Sequence, residues 1–266
     1  DSNNYPWGDL GVDIVVESTG LFTNYEKAQI HIDRGAKRVV ISAPAKGDGS
    51  IKGETILMRV NDDKILDVNT TSNASCTTNA SSPLIAILDE SLGIQKAILN
   101  TVHGYTASQA LVDGPSKKDK REGRAAALNI VPTSTGAAIA VTKVFTQLEN
   151  KFDGISIRVP VPAGSIVDIT FISNKDTTVD EVNSILQNAS GSDRWKGIFM
   201  ATSEELVSSD IVGTVYASIA DLTMTRVVGG NLVKVLAWYD NEMGYTYTLL
   251  EHVAKVAAYI NLKDTN

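Results

Sequence analysis

The sequence has 266 residues, with 24 basic and 31 acidic side chains and a formal net charge of −7. A chain this long makes one large domain or two small ones and can build its core without disulfide staples. Its acidic balance argues against a general nucleic-acid binder, and its single cysteine, Cys76, excludes an internal disulfide and fits a reducing compartment. Residues 1–7 lack the basic start and apolar core of a signal peptide, and no apolar run reaches the roughly 20 residues of a membrane span. The expected setting is cytoplasmic, with neither a membrane nor a specific nucleic acid as partner.

Residues 12–16 form a β-branched run closed by Ser18-Thr19-Gly20, which predicts a buried strand and a turn. Asn24 reads as a helix N-cap, with Ala28, Ile30 and Ile32 inside and Gly35 as the stop. Residues 38–41 predict a second buried strand, ending at Ser42-Ala43-Pro44. Strand, helix and strand in this order predict a parallel βαβ unit. Ligands of such sheets bind at the carboxyl ends of the strands, which puts Thr19, Gly20 and Ser42 where a ligand would lie.

A Gly/Lys-rich loop at 46–54 precedes predicted strands at 55–60 and 68–72. Ser75-Cys76-Thr77-Thr78-Asn79 leads into an apolar helical run at 84–88, stopped by Gly93. A strand from Ile94 ends near His103, and residues 106–127 are polar and irregular, with a charged cluster at 117–124. A loop of that length inside a compact domain is usually functional or disordered. Beyond Gly154 strands dominate, predicted at 155–161, 165–173, 212–218, 222–228 and 232–238, with helices at 178–189 and 203–208 and a closing helix from Asn241 to about Ile260. The fold class expected is α/β plus α+β: a partial Rossmann-type parallel sheet and a domain built on a largely antiparallel sheet.

Cys76 stands before an apolar helix in a Ser/Thr/Asn-rich turn. Helix N-termini carry unpaired N–H groups and partial positive charge, which favour thiolate and an oxyanion on an adjacent carbon. The alternative, an inert core cysteine, fits poorly with Ser75, Thr77, Thr78 and Asn79 around it. Of three histidines, His31 and His252 fall within helices and read as surface or packing residues. His103 ends a strand before the irregular loop and is the candidate base for Cys76. No Cys/His cluster has metal-ligand spacing, so no metal is expected. Three further positions suit phosphate: Thr135-Gly136 opening an Ala-rich helix, Thr106 after His103, and Arg158, a lone guanidinium in an apolar strand. Each also has a structural reading, as a cap, a turn hydroxyl or an internal ion pair.

Taken together, Ser72-Asn73-Ala74-Ser75-Cys76-Thr77-Thr78-Asn79, Thr101-Val102-His103-Gly104-Tyr105-Thr106, Val112-Asp113-Gly114-Pro115-Ser116, Pro132-Thr133-Ser134-Thr135-Gly136-Ala137-Ala138, Arg158-Val159-Pro160-Val161-Pro162 and Trp238-Tyr239-Asp240-Asn241-Glu242-Met243-Gly244-Tyr245 resemble phosphorylating glyceraldehyde-3-phosphate dehydrogenases. Their order and spacing agree along essentially the whole chain. The resemblance implies that Cys76 attacks the aldehyde of glyceraldehyde 3-phosphate and that His103 takes the proton as hydride leaves. Inorganic phosphate then cleaves the thioester to give 1,3-bisphosphoglycerate. It implies Thr106 and Arg158 as ligands of the substrate phosphate, and Ser75, Thr77, Thr135 and Gly136 as ligands of the attacking phosphate. Thr19, Gly20, Ser42 and Asn241 would lie beside the nicotinamide cofactor, NAD, with NADP not excluded. A homotetramer is implied as well.

Two departures stand beside these motifs: Ala80, after Asn79, where many members carry a second cysteine, and Glu122, in Arg121-Glu122-Gly123-Arg124, where some carry an arginine and where an acid weakens phosphate attraction. At the front, the family's Gly-x-Gly-x-x-Gly turn is not in the sequence, so the resemblance implies about 75 further residues before this opening. The domains expected are 1–75, the latter part of a nucleotide-binding domain; 76–240, a catalytic domain; and 241–266, a helix returning to the first. A relative acting on erythrose 4-phosphate and a silent fragment unable to bind dinucleotide are the competing readings.

Overall fold

The computed structural model describes residues 4–116 and 119–264, with side chains as far as Ile260. Residues 1–3 and the start of the charged cluster, Lys117 and Lys118, lie outside it. The chain divides into two compact units, Asp1–Ser75 with Tyr247–Asn266, and Cys76–Thr246. The second boundary falls inside the last helix rather than at Asn241.

In the first unit, β1 (Ile14–Glu17), β2 (Arg38–Ile41), β3 (Gly53–Thr55) and β4 (Thr70–Ser72) form a parallel sheet in the order β1-β2-β4-β3. Register aligns Glu17 with Ile41, Ile41 with Ser72 and Ser72 with Thr55, so the four carboxyl ends finish level. Helix α1 (Tyr25–Asp33) packs Tyr25 and Ala28 on Val39 and Ile41. Gly53 runs so close beneath Tyr25 that a Cβ there would lie 2.2 Å from the ring, and only glycine fits. The strand expected at 55–60 stops at Thr55. Asn61 bends the chain instead, its Oδ1 accepting from Leu57 N (2.8 Å) and its Nδ2 donating to Thr55 O (2.8 Å), while Ile56, Leu57 and Met58 stay buried in the turn. A side chain that satisfies the backbone in this way replaces the ladder that an apolar run would otherwise seek.

In the second unit seven strands form one mixed sheet. They are β5 (Ile94–Gly104), β6 (Val131–Ser134), β7 (Phe152–Val159), β8 (Ser165–Ser173), β9 (Phe199–Thr202), β10 (Ser218–Val228) and β11 (Leu232–Tyr239), in the order β6-β7-β5-β8-β11-β10-β9. β5 with β7 and β10 with β9 are parallel pairs; the other neighbours are antiparallel. Side chains alternate across a strand, and the buried face of β5 and β8 includes Ala97, Leu99, Thr101 and His103 with Ser165, Val167, Ile169, Phe171 and Ser173. Helices α2 (Cys76–Leu92), α3 (Ala137–Val144) and α4 (Val179–Ser190) cover that face. Ile98 and Ile155, on the opposite face, stay exposed.

Helix α2 is buried at nearly every position from Thr77 to Leu88. Pro83 lies inside it, and Ser81 and Ser82 donate to the Thr77 and Thr78 carbonyls at 2.9 and 2.6 Å, fastening the first turns from within. The expected strand at 212–218 and helix at 203–208 are corrected to a short helix, α5 (Ser208–Ile211), and a loop. Gly213 takes φ 88° there and donates to Asp240 Oδ2 at 2.7 Å, so the backbone bonds a side chain instead of a strand. Strand β9, four residues long, escapes the sequence pattern. Helix α6 (Met243–Asp264) is started by Asp240, whose Oδ1 accepts from Glu242 N and Met243 N at 2.8 and 3.0 Å.

Candidate active site

In the second unit the chemistry gathers at one end of the covered sheet face. Cys76 is the first residue of α2, and its Sγ lies 3.4 Å from His103 Nε2 at the end of β5. The parallel register sets Arg158 of β7 directly beside His103, on the same face. His103 Nδ1 lies 2.7 Å from Gly104 O and also against Arg158 Nη1, which in turn donates to Gly104 O at 3.3 Å. An arginine can only donate. Nδ1 therefore faces a donor in Arg158 Nη1 and an acceptor in Gly104 O, and Nε2 is the ring nitrogen turned to the Cys76 sulfur.

Burial and the neighbouring Arg158 charge hold His103 down at about 4, against the backbone contact to Gly104, so the ring is neutral at ordinary pH. Burial likewise pushes the Cys76 thiol up, opposed by bonds from Thr77 and by Arg158. The residue keeps partial exposure, which tempers that rise. Desolvation thus works against the thiolate expected at a helix start, and a neutral imidazole stands beside the sulfur with a short path for its proton.

Tyr239, at the end of β11, is a site residue that the sequence reading did not single out. Its buried hydroxyl joins Thr77 Oγ1 (2.9 Å) to Thr101 Oγ1 (2.8 Å), and its ring meets His103 edge-on at 5.9 Å. Its place in the stretch 238–245 and its alternation with the buried residues of β11 were the available signals. Ser165 is a second addition: Gly104 N donates to its Oγ (3.2 Å), and that Oγ donates to Asn241 Oδ1 (2.9 Å). Asn241 is thus tied to the strand end that carries His103. Thr106 is half-buried in the following turn, its Oγ1 3.1 Å from Ser108 Oγ. Thr135 and Gly136 open α3, where Thr135 Oγ1 accepts from Ala137 N at 3.2 Å and Gly136 is exposed. No direct bond joins them to Cys76 among the described residues. Thr133 Oγ1 donates to Glu122 Oε1 at 3.2 Å, so the acid at 122 is turned onto a hydroxyl of β6.

The remaining candidates lie in the first unit. Ser75 is half-buried beyond Ala74, whose φ of 55° is left-handed. Ser18, Thr19 and Gly20 lie exposed beyond β1, with Gly20 at φ 75° and no atom within 4 Å of where a Cβ would sit. Ser42 N donates to Glu17 O at 2.9 Å. Open strand ends of this kind suit a ligand. His31 and His252 are both buried here, and neither lies on the surface. Among the described residues, no group of three or more His, Cys, Asp or Glu could hold a metal ion, and no helix is long and apolar enough to cross a membrane.

Residues 75–241 match the family model described as glyceraldehyde 3-phosphate dehydrogenase, C-terminal domain. Among similar curated proteins, the glyceraldehyde-3-phosphate dehydrogenase of Mycobacterium bovis (strain BCG / Pasteur 1173P2) is 51% identical over 252 residues, covering 94% of this chain and 72% of the relative. That of Streptomyces coelicolor (strain ATCC BAA-471 / A3(2) / M145) is 49% identical over 92% of this chain and 72% of its own length. That of Clostridium pasteurianum is 44% identical over 97% of this chain and 77% of its own length.

Proposed function

The chain belongs to the glyceraldehyde-3-phosphate dehydrogenase family, and on that premise we propose that it oxidises and phosphorylates glyceraldehyde 3-phosphate through a thioester on Cys76. The reading makes it a glycolytic oxidoreductase. The observation that carries it is the 3.4 Å contact between Cys76 Sγ and His103 Nε2 with Arg158 alongside.

The Cys76 sulfur adds to the aldehyde carbon, its proton passing to His103 Nε2 and on to the new oxygen. Arg158 and Thr106 hold the substrate phosphate, and Tyr239 orients the hydroxyl of Thr77. His103 then takes the hydroxyl proton of the thiohemiacetal, leaving a thioester on sulfur. NAD, with NADP as the alternative, supplies the acceptor for the hydride released in that step. Thr19, Gly20, Ser42 and Asn241 would hold it. Phosphate attack, aided by Ser75, Thr77, Thr135 and Gly136, forms the acyl phosphate and frees the sulfur, which His103 reprotonates. Neutral His103 suits the first proton transfer, and the adjacent guanidinium speeds its later discharge. In this reading the first unit is the nucleotide-binding part and the second is catalytic, within a homotetramer.

The test is NADH formation from glyceraldehyde 3-phosphate, with and without inorganic phosphate. Phosphate-dependent turnover that disappears in Cys76→Ala supports the reading. Turnover retained by that variant, or a higher kcat/KM on erythrose 4-phosphate, would overturn it.

A further inference from the structure

Every cofactor-side position in the first unit hangs on one buried residue. Glu17 ends β1 and is 3% exposed. Its backbone carbonyl accepts from Ser42 N at 2.9 Å. Its Oε1 accepts from Thr19 N at 2.7 Å and from Thr19 Oγ1, and Thr19 Oγ1 in turn accepts from Leu21 N at 3.1 Å. The turn that carries Gly20 in its left-handed conformation is therefore pinned from beneath.

The other carboxylate oxygen is fixed as firmly. His31 Nε2 lies 2.9 Å from Glu17 Oε2, and Trp7 Nε1–H donates to His31 Nδ1 at 3.2 Å. An indole can only donate, so Nδ1 is the acceptor and the ring proton sits on Nε2, aimed at Glu17. Tyr5 stacks on the imidazole at 5.2 Å and Phe22 meets its edge at 5.5 Å, which lock the ring plane. A carboxylate buried at a strand end is costly unless each oxygen finds donors, and here the donors come from both the site turn and the interior.

We propose that Glu17, set by the Trp7–His31 pair, is the positioning residue for the cofactor-facing end of this sheet. The proposal rests on the reading that Thr19, Gly20 and Ser42 face NAD. It makes a specific prediction about donors. Glu17→Gln presents an amide NH2 either to the His31 Nε2–H or to the Thr19 N–H, so a donor faces a donor whichever way the amide turns. Adding Trp7→Phe removes the indole donor. The ring proton can then move to Nδ1, and Nε2 accepts from the new amide.

The experiment uses the whole chain and three readouts: exchange of the Thr19 and Leu21 backbone amides, calorimetric titration with NAD, and alkylation of Cys76 by iodoacetamide. Glu17→Gln is expected to speed Thr19 exchange and raise the NAD Kd by about tenfold or more, as for a buried donor left unpaired. Trp7→Phe alone should stay within about threefold, and the double variant should return to within about threefold of wild type. Cys76 alkylation should be unchanged throughout. Equal exchange and equal NAD affinity in Glu17→Gln and wild type would overturn the proposal, as would a double variant no better than Glu17→Gln. A wild-type chain that binds no NAD overturns the underlying reading and the proposal with it. Where Glu17→Gln alone does not fold, the double variant against Trp7→Phe decides the matter in the same terms.

Discussion

Acid should loosen the first unit through one imidazole. His252, on α6, is fully buried. Its Nε2 lies 3.0 Å from Thr71 Oγ1 on β4 and its Nδ1 3.2 Å from Asn73 Oδ1, whose Nδ2 donates to Thr248 Oγ1 at 3.3 Å. Asn73 Oδ1 can only accept, so Nδ1 carries the proton and Nε2 receives the threonine hydroxyl. The neutral ring satisfies this network, whereas a doubly protonated ring would turn a donor on Thr71 and place a charge in the interior. Burial accordingly holds His252 at about 4 rather than 6.5, with Asp62 opposing. The unfolded chain therefore binds more protons between these values, and stability falls as pH falls. Above about 6.5 the contribution is complete. At about 1.4 kcal/mol per pH unit the loss reaches about 2 kcal/mol by pH 5 and roughly 3 kcal/mol by pH 4. Urea unfolding of wild type and His252→Gln at a series of pH values measures it. The variant should be weaker at neutral pH but lose less on acidification, so the gap closes by that amount. Parallel pH dependences in the two proteins would refute the assignment of the loss to this ring.

His103, also held at about 4, should keep the acid limb of kcat/KM near pH 4 rather than 6.5, because the base is competent only while neutral. His103→Asn should cut turnover by about 10²- to 10⁴-fold and leave the thermal midpoint nearly unchanged; equal losses of both would make the residue structural. The homotetramer of the proposed reading is a separate prediction. Sedimentation velocity should give one species of four chains, and a monomer at micromolar concentration would refute it.

The positions most legible in the sequence were those whose chemistry is written locally. Cys76 stood in a polar turn before an apolar helix, and His103 at a strand end before a loop. The βαβ order gave the parallel sheet, since periodicity and punctuation suffice for strands with long apolar runs. What the sequence concealed depends on pairing across the sheet. That Arg158 would lie on His103 follows only from the β5–β7 register, and that Tyr239 would bridge Thr77 and Thr101 only from the β11–β8–β5 order. The direction of the Cys76 shift was also hidden, because helix-start donors can be read from sequence and desolvation cannot. The sequence left His31 open between surface and packing for a related reason: a polar residue within a helix gives no sign that Trp7 and Glu17 will enclose it. The failed strands at 55–60 and 212–218 share one cause, namely Asn61 and Asp240 taking backbone donors that apolar patterning had given to a ladder.

The helix that begins at Cys76 leaves sequence drift little room. Its residues from Thr77 to Leu88 are buried, so almost any replacement there is felt first as a packing or hydroxyl-bonding fault, independent of chemistry. Ser81 and Ser82 are as constrained as Thr77 and Thr78 because they close the turns that follow Cys76. Selection for a folded chain and selection for a working thiol therefore bear on the same stretch. A mutational scan scored only by protein abundance would already outline most of this helix. Cys76 itself, partly open to solvent, should be the position where abundance tolerates change and turnover does not.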